Sequence, residues 1–209
     1  PDIPSDRRVD INVEDAWDLS FAGSPITGAG VRVAVVDDGV FTGHEDLVVD
    51  VGSSLDVIAG GTDPGPATFF DTHGTQVAGI IGATWDNNLG ITGVAPGSTI
   101  FGVRLLGEDI TDAQEAQALS LGQGLSFLLA TEVSNNSWGP SDFETTLEPV
   151  GPLAKAAIEE QVRKQPLGST PQAQRLGSAG TIFVWAAGNG AEINDNSNYD
   201  GYAALPETI

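Results

Sequence analysis

The amino-acid sequence predicts an α/β fold in which a mainly parallel sheet carries helices on both faces. Four apolar runs predict buried strands, at residues 31–36, 99–105, 132–137 and 181–187. Three segments with helical spacing of apolar residues alternate with them, at about 73–84, 112–122 and 151–165. Strands that alternate with helices are typical of a parallel sheet, because each helix returns the chain to the start of the next strand.

The other segments fit around this core in chain order. Residues 9–19, VDINVEDAWDL, predict a short amphipathic helix, and Gly23–Gly30 predict a turn. Thr111 and Gln114 fit a capping box at the start of the second main helix. No internal repeat or low-complexity linker divides the 209 residues. We therefore expect a single domain.

The chain is strongly acidic, with 29 acidic and 8 basic residues and a formal net charge of −21. Such a field repels nucleic acid and anionic membranes, and it favours cations and basic peptides as partners. Solubility, for example in a saline habitat, explains the charge equally well. The absence of cysteine excludes disulfide bonds and thiolate chemistry. No apolar run approaches the roughly 20 residues of a membrane span.

Residues of catalytic type follow the predicted strands. Asp37 ends the first strand, and the turn Gly188–Gly190 follows the last one. Because the carboxyl ends of parallel strands meet at one edge of a sheet, we expect these positions to converge there. His73 begins a predicted helix, and a carboxylate that orients an imidazole is the arrangement that supplies a general base.

Four strings carry a family resemblance: VAVVDDGV (33–40), DTHGTQVAGIIGA (71–83), SNNSWGP (134–140) and FVWAAGNG (183–190). In order and spacing they resemble the subtilisin-like serine proteases, and GNGAEINDNSNYDGY (188–202) resembles the kexin branch. The resemblance implies that Asp37 and His73 occupy the catalytic Asp and His positions, with Asp37 orienting the imidazole that acts as general base. It also implies that Asn189 is the oxyanion-hole asparagine, whose amide stabilises charge developing in the transition state.

The nucleophile of that family lies in a Gly-Thr-Ser-x-x-x-Pro helix start, downstream of the Gly-Asn-Gly string. This chain contains no such segment, and Ser169 has different neighbours and precedes Asn189. We therefore expect residues 1–209 to form part of a single catalytic domain that is incomplete at its C-terminus. Without the missing segment the chain should be inactive.

The resemblance also implies calcium binding. Asp46 lies nine residues after Asp37, where the family has a carboxylate ligand, and residues 84–96 resemble the loop that completes the site. Calcium prefers carboxylate and carbonyl oxygens. The expected donors are the side chain of Asn87 (or Asn88) and the carbonyls of Trp85, Leu89 and Ile91. An ordinary polar loop is the alternative.

Several acids match specificity positions of the kexin branch, which cleaves after paired basic residues. Asp142 and Asp200 match the first-pocket acids, and Asp38 matches an acid that faces the second basic residue. Asp195 and Asp142 also match ligands of a second calcium site. Three acids after the second main strand match positions that contact basic residues further out, and solvated surface explains them equally well: Asp109, Asp112 and Glu115. Asp56 and Asp63 suggest a third metal position, but Gly65 stands where another acid is expected.

Two other functions are compatible with parts of the sequence. The string VAVVDDG also resembles the acidic pocket of a response-regulator receiver domain, but that module needs a lysine after a late strand. The lysines here, Lys155 and Lys164, lie within a predicted helix. A non-catalytic subtilisin-like domain that binds basic peptides or calcium is the stronger rival.

The preferred prediction is a calcium-stabilised serine endopeptidase of bacterial origin, secreted or periplasmic. Its partners are peptides or proteins with basic residues.

Overall fold

The computed structural model describes residues 11–21, 23–107, 109–120, 131–141, 147–163, 180–193 and 195–209. The helices in these ranges are α1 (Val13–Asp18), α2 (His73–Gly82), α3 (Asp112–Leu119) and α4 (Pro152–Arg163). The strands are β1 (Ser20–Phe21), β2 (Ser24–Pro25), β3 (Arg32–Asp37), β4 (Leu55–Asp56), β5 (Thr99–Arg104), β6 (Val133–Asn136) and β7 (Ile182–Trp185). None of these helices is long and apolar enough to cross a membrane.

Five of the strands form one parallel sheet in the order β4-β5-β3-β6-β7. The central strand β3 pairs with β5 along its whole length, from Arg32 opposite Thr99 to Asp37 opposite Arg104. On its other side β3 pairs with β6. After β3, the chain adds β5 on one side of this strand and then β6 on its other side, so β3 is a switch point of the strand order. In such sheets ligands bind beyond the carboxyl ends of the strands at the switch point.

Helices cover both faces of the sheet. Val33 and Val35 of β3 belong to the same buried cluster as Ala78 of α2. The alternate residues Ala34 and Val36 belong to a second cluster that contains Ala118 of α3. Because successive side chains of a strand point to opposite faces, α2 and α3 lie on opposite sides of β3. A third cluster lies between α4 and β7, and it contains Ala154, Ala157, Ile158, Phe183 and Trp185.

The predicted fold class is confirmed. The capping box is also present, since Thr111 Oγ1 accepts from the backbone N–H of Gln114 and the side chain of Gln114 accepts from that of Thr111. The two-residue strand β4 and the β1–β2 hairpin were not predicted. Helix α1 is shorter than the predicted 9–19, and residues 9 and 10 lie outside the described ranges.

Candidate active site

Asp37 lies at the carboxyl end of β3, at the switch point of the sheet. Its side chain is 1% exposed, and its carbonyl accepts hydrogen bonds from the backbone N–H groups of Leu105 (2.9 Å) and Leu106 (3.2 Å). The backbone of Asp37 is thus fixed by the chain that leaves β5. Burial raises the pKa of Asp37, and the hydrogen bond with His73 partly opposes this effect.

His73 is the first residue of α2, and its imidazole contacts Asp37. Nδ1 lies 2.8 Å from Oδ1 and 3.0 Å from Oδ2 of that carboxylate. The His73 side chain is 55% exposed. With Nδ1 engaged by the carboxylate, Nε2 is the nitrogen left to accept a proton from another group. The two residues predicted to act together are therefore in direct contact.

Gly74 lets α2 approach the end of β3 this closely. A Cβ at this position would lie 2.7 Å from Cβ of Asp37 and would overlap the carbonyl oxygen of Gly39. Any larger side chain would therefore push the start of α2 away from the strand. The sequence string HGT thus reflects a packing requirement as well as a motif.

Asp38 also contacts the start of α2. Its Oδ2 accepts from the backbone N–H of His73 (3.1 Å), and its Oδ1 accepts from that of Gly74 (2.7 Å). Its own N–H donates to Oδ1 of Asp37 (2.8 Å). The sequence assigned Asp38 to substrate contact alone, and these bonds to the helix were not anticipated.

A pocket lies beyond the carboxyl ends of β6 and β7. It contains two of the predicted acids, and its lining is Pro140, Ser141, Ala187, Gly188, Asp195, Ser197, Tyr199 and Asp200. Oδ1 of Asp200 accepts from the N–H groups of Tyr202 (2.7 Å) and Ala203 (3.0 Å). Oδ1 of Asp195 accepts from the N–H of Asn196 (2.8 Å). These turn bonds fix both carboxylates at the pocket.

One other predicted residue within the described ranges lies at this edge. Asn189 is exposed and follows Gly188, whose φ of 87° is in the left-handed region that favours glycine. Asp142 lies outside the described residues, directly after Ser141 of the pocket lining.

Asp46 contacts the loop at 84–91, the loop that the sequence resemblance connected with calcium. Asp46 is 3% exposed and accepts from Nδ2 of Asn87 (2.7 Å) and from the N–H of Ile91 (3.0 Å). The hydrogen bond from Asn87 holds the pKa of Asp46 below its usual value. Oδ1 of Asn87 accepts from the N–H of Leu89 (3.0 Å).

The backbone of this loop alternates in conformation. Left-handed φ angles occur at Asp86 (56°), Asn88 (58°) and Gly90 (48°). The four predicted ligand positions, Trp85, Asn87, Leu89 and Ile91, are the residues between and beside them. Across the described ranges, no three His, Cys, Asp or Glu side chains form a metal-binding group. Any calcium site here would therefore depend on amide and carbonyl oxygens around Asp46.

Two acids that the sequence connected with outer substrate positions have structural partners. The carboxylate of Asp112 accepts from the N–H groups of Leu153 (3.0 and 3.1 Å) and Ala154 (2.8 Å), so the first residue of α3 caps α4. Glu115 accepts from the hydroxyl of Tyr202, and burial raises the pKa of Glu115. Neither Asp112 nor Glu115 is therefore a simple solvated surface acid.

Asp56, which the sequence suggested as part of a third metal position with Asp63, forms a buried ion pair with Arg104. Its Oδ2 accepts from Nε (3.0 Å) and Nη2 (2.7 Å) of Arg104, and both side chains are 9% exposed. Its Oδ1 accepts from the N–H groups of Ile58 (2.9 Å) and Ala59 (2.8 Å). This carboxylate is fully used by the protein.

This chain resembles known proteins over most of its length. A model described as the subtilase family, Peptidase_S8, matches residues 28–209. The chain belongs to the subtilase family. Furin-like protease 1, isoform 1-CRR, of Drosophila melanogaster is 38% identical to this subtilase over 199 residues, which cover 93% of this chain and 16% of that protein.

Two further similarities support the family and its branch. Proprotein convertase subtilisin/kexin type 6 of Homo sapiens is 35% identical over 207 residues, covering 97% of this subtilase and 19% of that protein. The crystal structure of the serine protease of Aeromonas sobria superposes with a TM-score of 0.63 at 31% identity, over 80% of this chain and 26% of that one. The predicted resemblance to kexin-like subtilases is confirmed.

This subtilase chain spans less than a fifth of the length of the two curated relatives. Both relatives are animal proteins and give no support to the predicted bacterial origin.

Proposed function

We propose that this chain supplies the acid–base half of a subtilisin/kexin-like serine endopeptidase. The observation that supports this most strongly is the contact of 2.8 Å between His73 Nδ1 and the buried carboxylate of Asp37. The relatives named as proteases support the same activity. The nucleophilic serine would come from a segment that this sequence does not contain.

The proposed chemistry follows from the roles of the two side chains. His73 Nε2 takes the proton of the serine hydroxyl while the oxygen attacks the scissile carbonyl carbon, and later returns a proton to the leaving amine. Asp37 holds the imidazole in the tautomer with hydrogen on Nδ1 and stabilises the imidazolium. The side-chain amide of Asn189 donates to the oxyanion, a contact whose loss typically costs about 3–4 kcal/mol.

A preference for basic substrates follows from the acidic pocket at β6 and β7. Asp200 lines this pocket, and we assign it and Asp142 to the first basic residue before the scissile bond. Asp38 would face the second basic residue. A guanidinium pairs well with carboxylates, and the net charge of −21 attracts basic peptides from a distance.

Calcium is the proposed stabilising ion. The donor types at the first site support this proposal, since Asp46 supplies a buried carboxylate and contacts two of the expected ligand residues, Asn87 and Ile91. Asn87, Trp85, Leu89 and Ile91 would provide the other oxygens. Asn87 would have to turn its amide oxygen toward the ion, because its nitrogen now donates to Asp46. Asp195 and Asp142 would contribute to a second site.

We further propose that the whole protein works in a secretory or extracellular setting on peptide or protein substrates.

The deciding experiment compares this 209-residue chain with a complete catalytic domain that includes the serine segment. The complete domain should react with a serine-directed fluorophosphonate and hydrolyse basic peptides, and the 209-residue chain should do neither. His73→Ala in the complete domain should abolish turnover. Stoichiometric labelling of the 209-residue chain would contradict the proposal. A downstream sequence without the serine, together with binding of basic peptides, would favour the non-catalytic rival.

A further inference from the structure

Asp38 forms hydrogen bonds with both members of the proposed catalytic pair. Its backbone N–H donates to Oδ1 of Asp37, the oxygen that lies 2.8 Å from His73 Nδ1. Its carboxylate accepts from the backbone N–H groups of His73 and Gly74. The main chain of Asp38 thus orients the acid, and its side chain anchors the residue that carries the imidazole.

The start of α2 depends on this carboxylate. The first N–H groups of a helix have no partners within the helix and need acceptors from elsewhere. Thr72 precedes the helix, but its side chain makes no capping hydrogen bond. Asp38 supplies the acceptors from a position 35 and 36 residues earlier in the chain. A negative charge is also favourable at a helix N-terminus.

We propose that Asp38 is a positioning residue for the Asp37–His73 pair, in addition to its proposed contact with the substrate. This inference rests on the proposed protease function. Asp38 fixes where α2 begins relative to the end of β3, and thereby sets the distance and angle between imidazole and carboxylate. Small displacements in a catalytic site cost large factors in rate, on the order of 100-fold for about 1 Å.

The two roles of Asp38 predict different kinetics. A residue that only contacts the second basic residue of the substrate affects kcat or KM only for substrates that carry this residue. A positioning residue affects kcat for every substrate, because the same proton transfer occurs in each of them.

The test uses the complete catalytic domain and two peptides with Arg before the scissile bond. One peptide has Lys and the other has Ala in the preceding position. Asp38→Ala should lower kcat for both peptides by the same factor, about 10- to 100-fold. Asp38→Ser should recover part of this loss for the Ala peptide, because a neutral hydroxyl oxygen still accepts an N–H at a helix start. Thermal unfolding of each variant would verify that it is folded.

Asp71→Ala is the matched control. Asp71 lies two residues before His73, but its carboxylate accepts from the N–H of Thr68 (2.8 Å) within its own turn. Its removal should leave kcat unchanged. If Asp38→Ala raises KM for the Lys peptide and leaves kcat for the Ala peptide intact, Asp38 only reads the substrate and the inference is wrong.

A second readout does not require turnover. The Nδ1 proton of His73, held by Asp37, gives a separate NMR signal, and Asp38→Ala should shift or broaden it while Asp71→Ala should not. An unchanged signal would overturn the positioning role even if the wild-type domain proved inactive. If the wild-type domain shows no turnover but Asp38→Ala alters the signal of the His73 Nδ1 proton, the proposed function is wrong and the positioning role stands.

Discussion

The carboxylate of Asp37 is buried, yet it contacts an imidazole that is half exposed, that of His73. Burial raises the pKa of Asp37 above its ordinary value of 3.8, although the His73 hydrogen bond acts in the opposite direction. Ionisation of Asp37 is therefore less favourable in the folded protein than in the unfolded chain. Such a position costs stability and is typical of functional sites.

We expect Asp37→Asn to become relatively more stable as the pH rises. A raised pKa in the folded state means that the contribution of Asp37 to stability is present below pH 3.8 and is lost as pH rises through the folded-state pKa. Asparagine does not titrate. The melting temperature of the variant minus that of wild type should therefore increase as the pH rises from below 3.8 through the folded-state pKa of Asp37.

Asp50→Asn provides a control of opposite sign. The hydrogen bond from Ser53 holds the pKa of Asp50 below 3.8, with a further contribution from Arg32. The contribution of Asp50 is present above pH 3.8 and is lost as the pH falls through the folded-state pKa. The melting temperature of Asp50→Asn minus that of wild type should therefore decrease as the pH rises. If the melting-temperature differences of both variants changed with pH in the same direction, the opposite pKa directions of Asp37 and Asp50 would be contradicted.

The same Asp37→Asn substitution should remove nearly all activity from the complete domain. Asparagine can hold the imidazole in place, but its amide favours the tautomer with hydrogen on the wrong nitrogen. In a comparable triad this change lowers kcat about 10⁴-fold. Hydrolysis rates of a basic peptide measure the effect, and retention of more than a tenth of wild-type kcat would contradict it.

Much of the fold could be predicted from the sequence because the signals are local. The apolar run that forms β3 is buried on both sides and ends at Asp37, so its strand character is evident from adjacent residues. Helix α3 carries its own capping box. Strand β4 was missed because two residues, Leu55 and Asp56, give no periodicity; pairing with β5 defines it.

The roles of several acids could not be predicted because their partners are distant in the chain. Asp112 caps a helix through Leu153, which lies 41 residues later. Asp38 anchors His73 from 35 residues away. In the sequence both are acids that follow a strand, and a family pattern suggests substrate contact. Only the three-dimensional arrangement distinguishes an acid that accepts backbone hydrogen bonds from one that faces solvent.

The buried ion pair of Asp56 and Arg104 should be important for stability. Arg104→Met would leave Asp56 buried without its partner, and loss of one member of such a pair typically costs about 3–5 kcal/mol. Adding Asp56→Asn should restore part of the loss, because the amide oxygen can still accept from Ile58 and Ala59 without carrying a charge. Urea denaturation of the complete domain measures both variants. A double variant less stable than Arg104→Met would refute this explanation.

Calcium should stabilise the complete domain through Asp46. A ligand that binds only the folded state adds about 2.7 kcal/mol at a hundredfold excess over its dissociation constant. Chelation should therefore lower the melting temperature, and Asp46→Ala should remove most of this response. Asp50→Ala is the matched control, because Asp50 bonds to Ser53 and Arg32 instead of the loop at 84–91. A melting curve that is insensitive to chelator would eliminate the site.

Asp200 should determine the preference for a basic residue before the scissile bond. It lines the pocket beyond β6 and β7, and its Oδ1 is fixed by the N–H groups of Tyr202 and Ala203. Arg should exceed Lys as a substrate residue, since a guanidinium can form two parallel hydrogen bonds with a carboxylate. Asp200→Asn keeps an oxygen for the turn bonds but removes the charge. It should strongly reduce cleavage after Arg and spare slow cleavage after apolar residues.

A peptide library measured on the complete domain would separate this pocket from general surface charge. Glu14 in α1 is exposed, and Glu14→Gln is a control that removes one charge far along the chain from the pocket. If both substitutions reduce cleavage after Arg equally, the effect is the long-range field of an acidic protein, and it should disappear as salt shortens the Debye length below about 10 Å. If only Asp200→Asn does so, and the loss persists at high salt, the carboxylate contacts the substrate directly. A wild-type profile that peaks after Leu or Phe would refute basic specificity altogether.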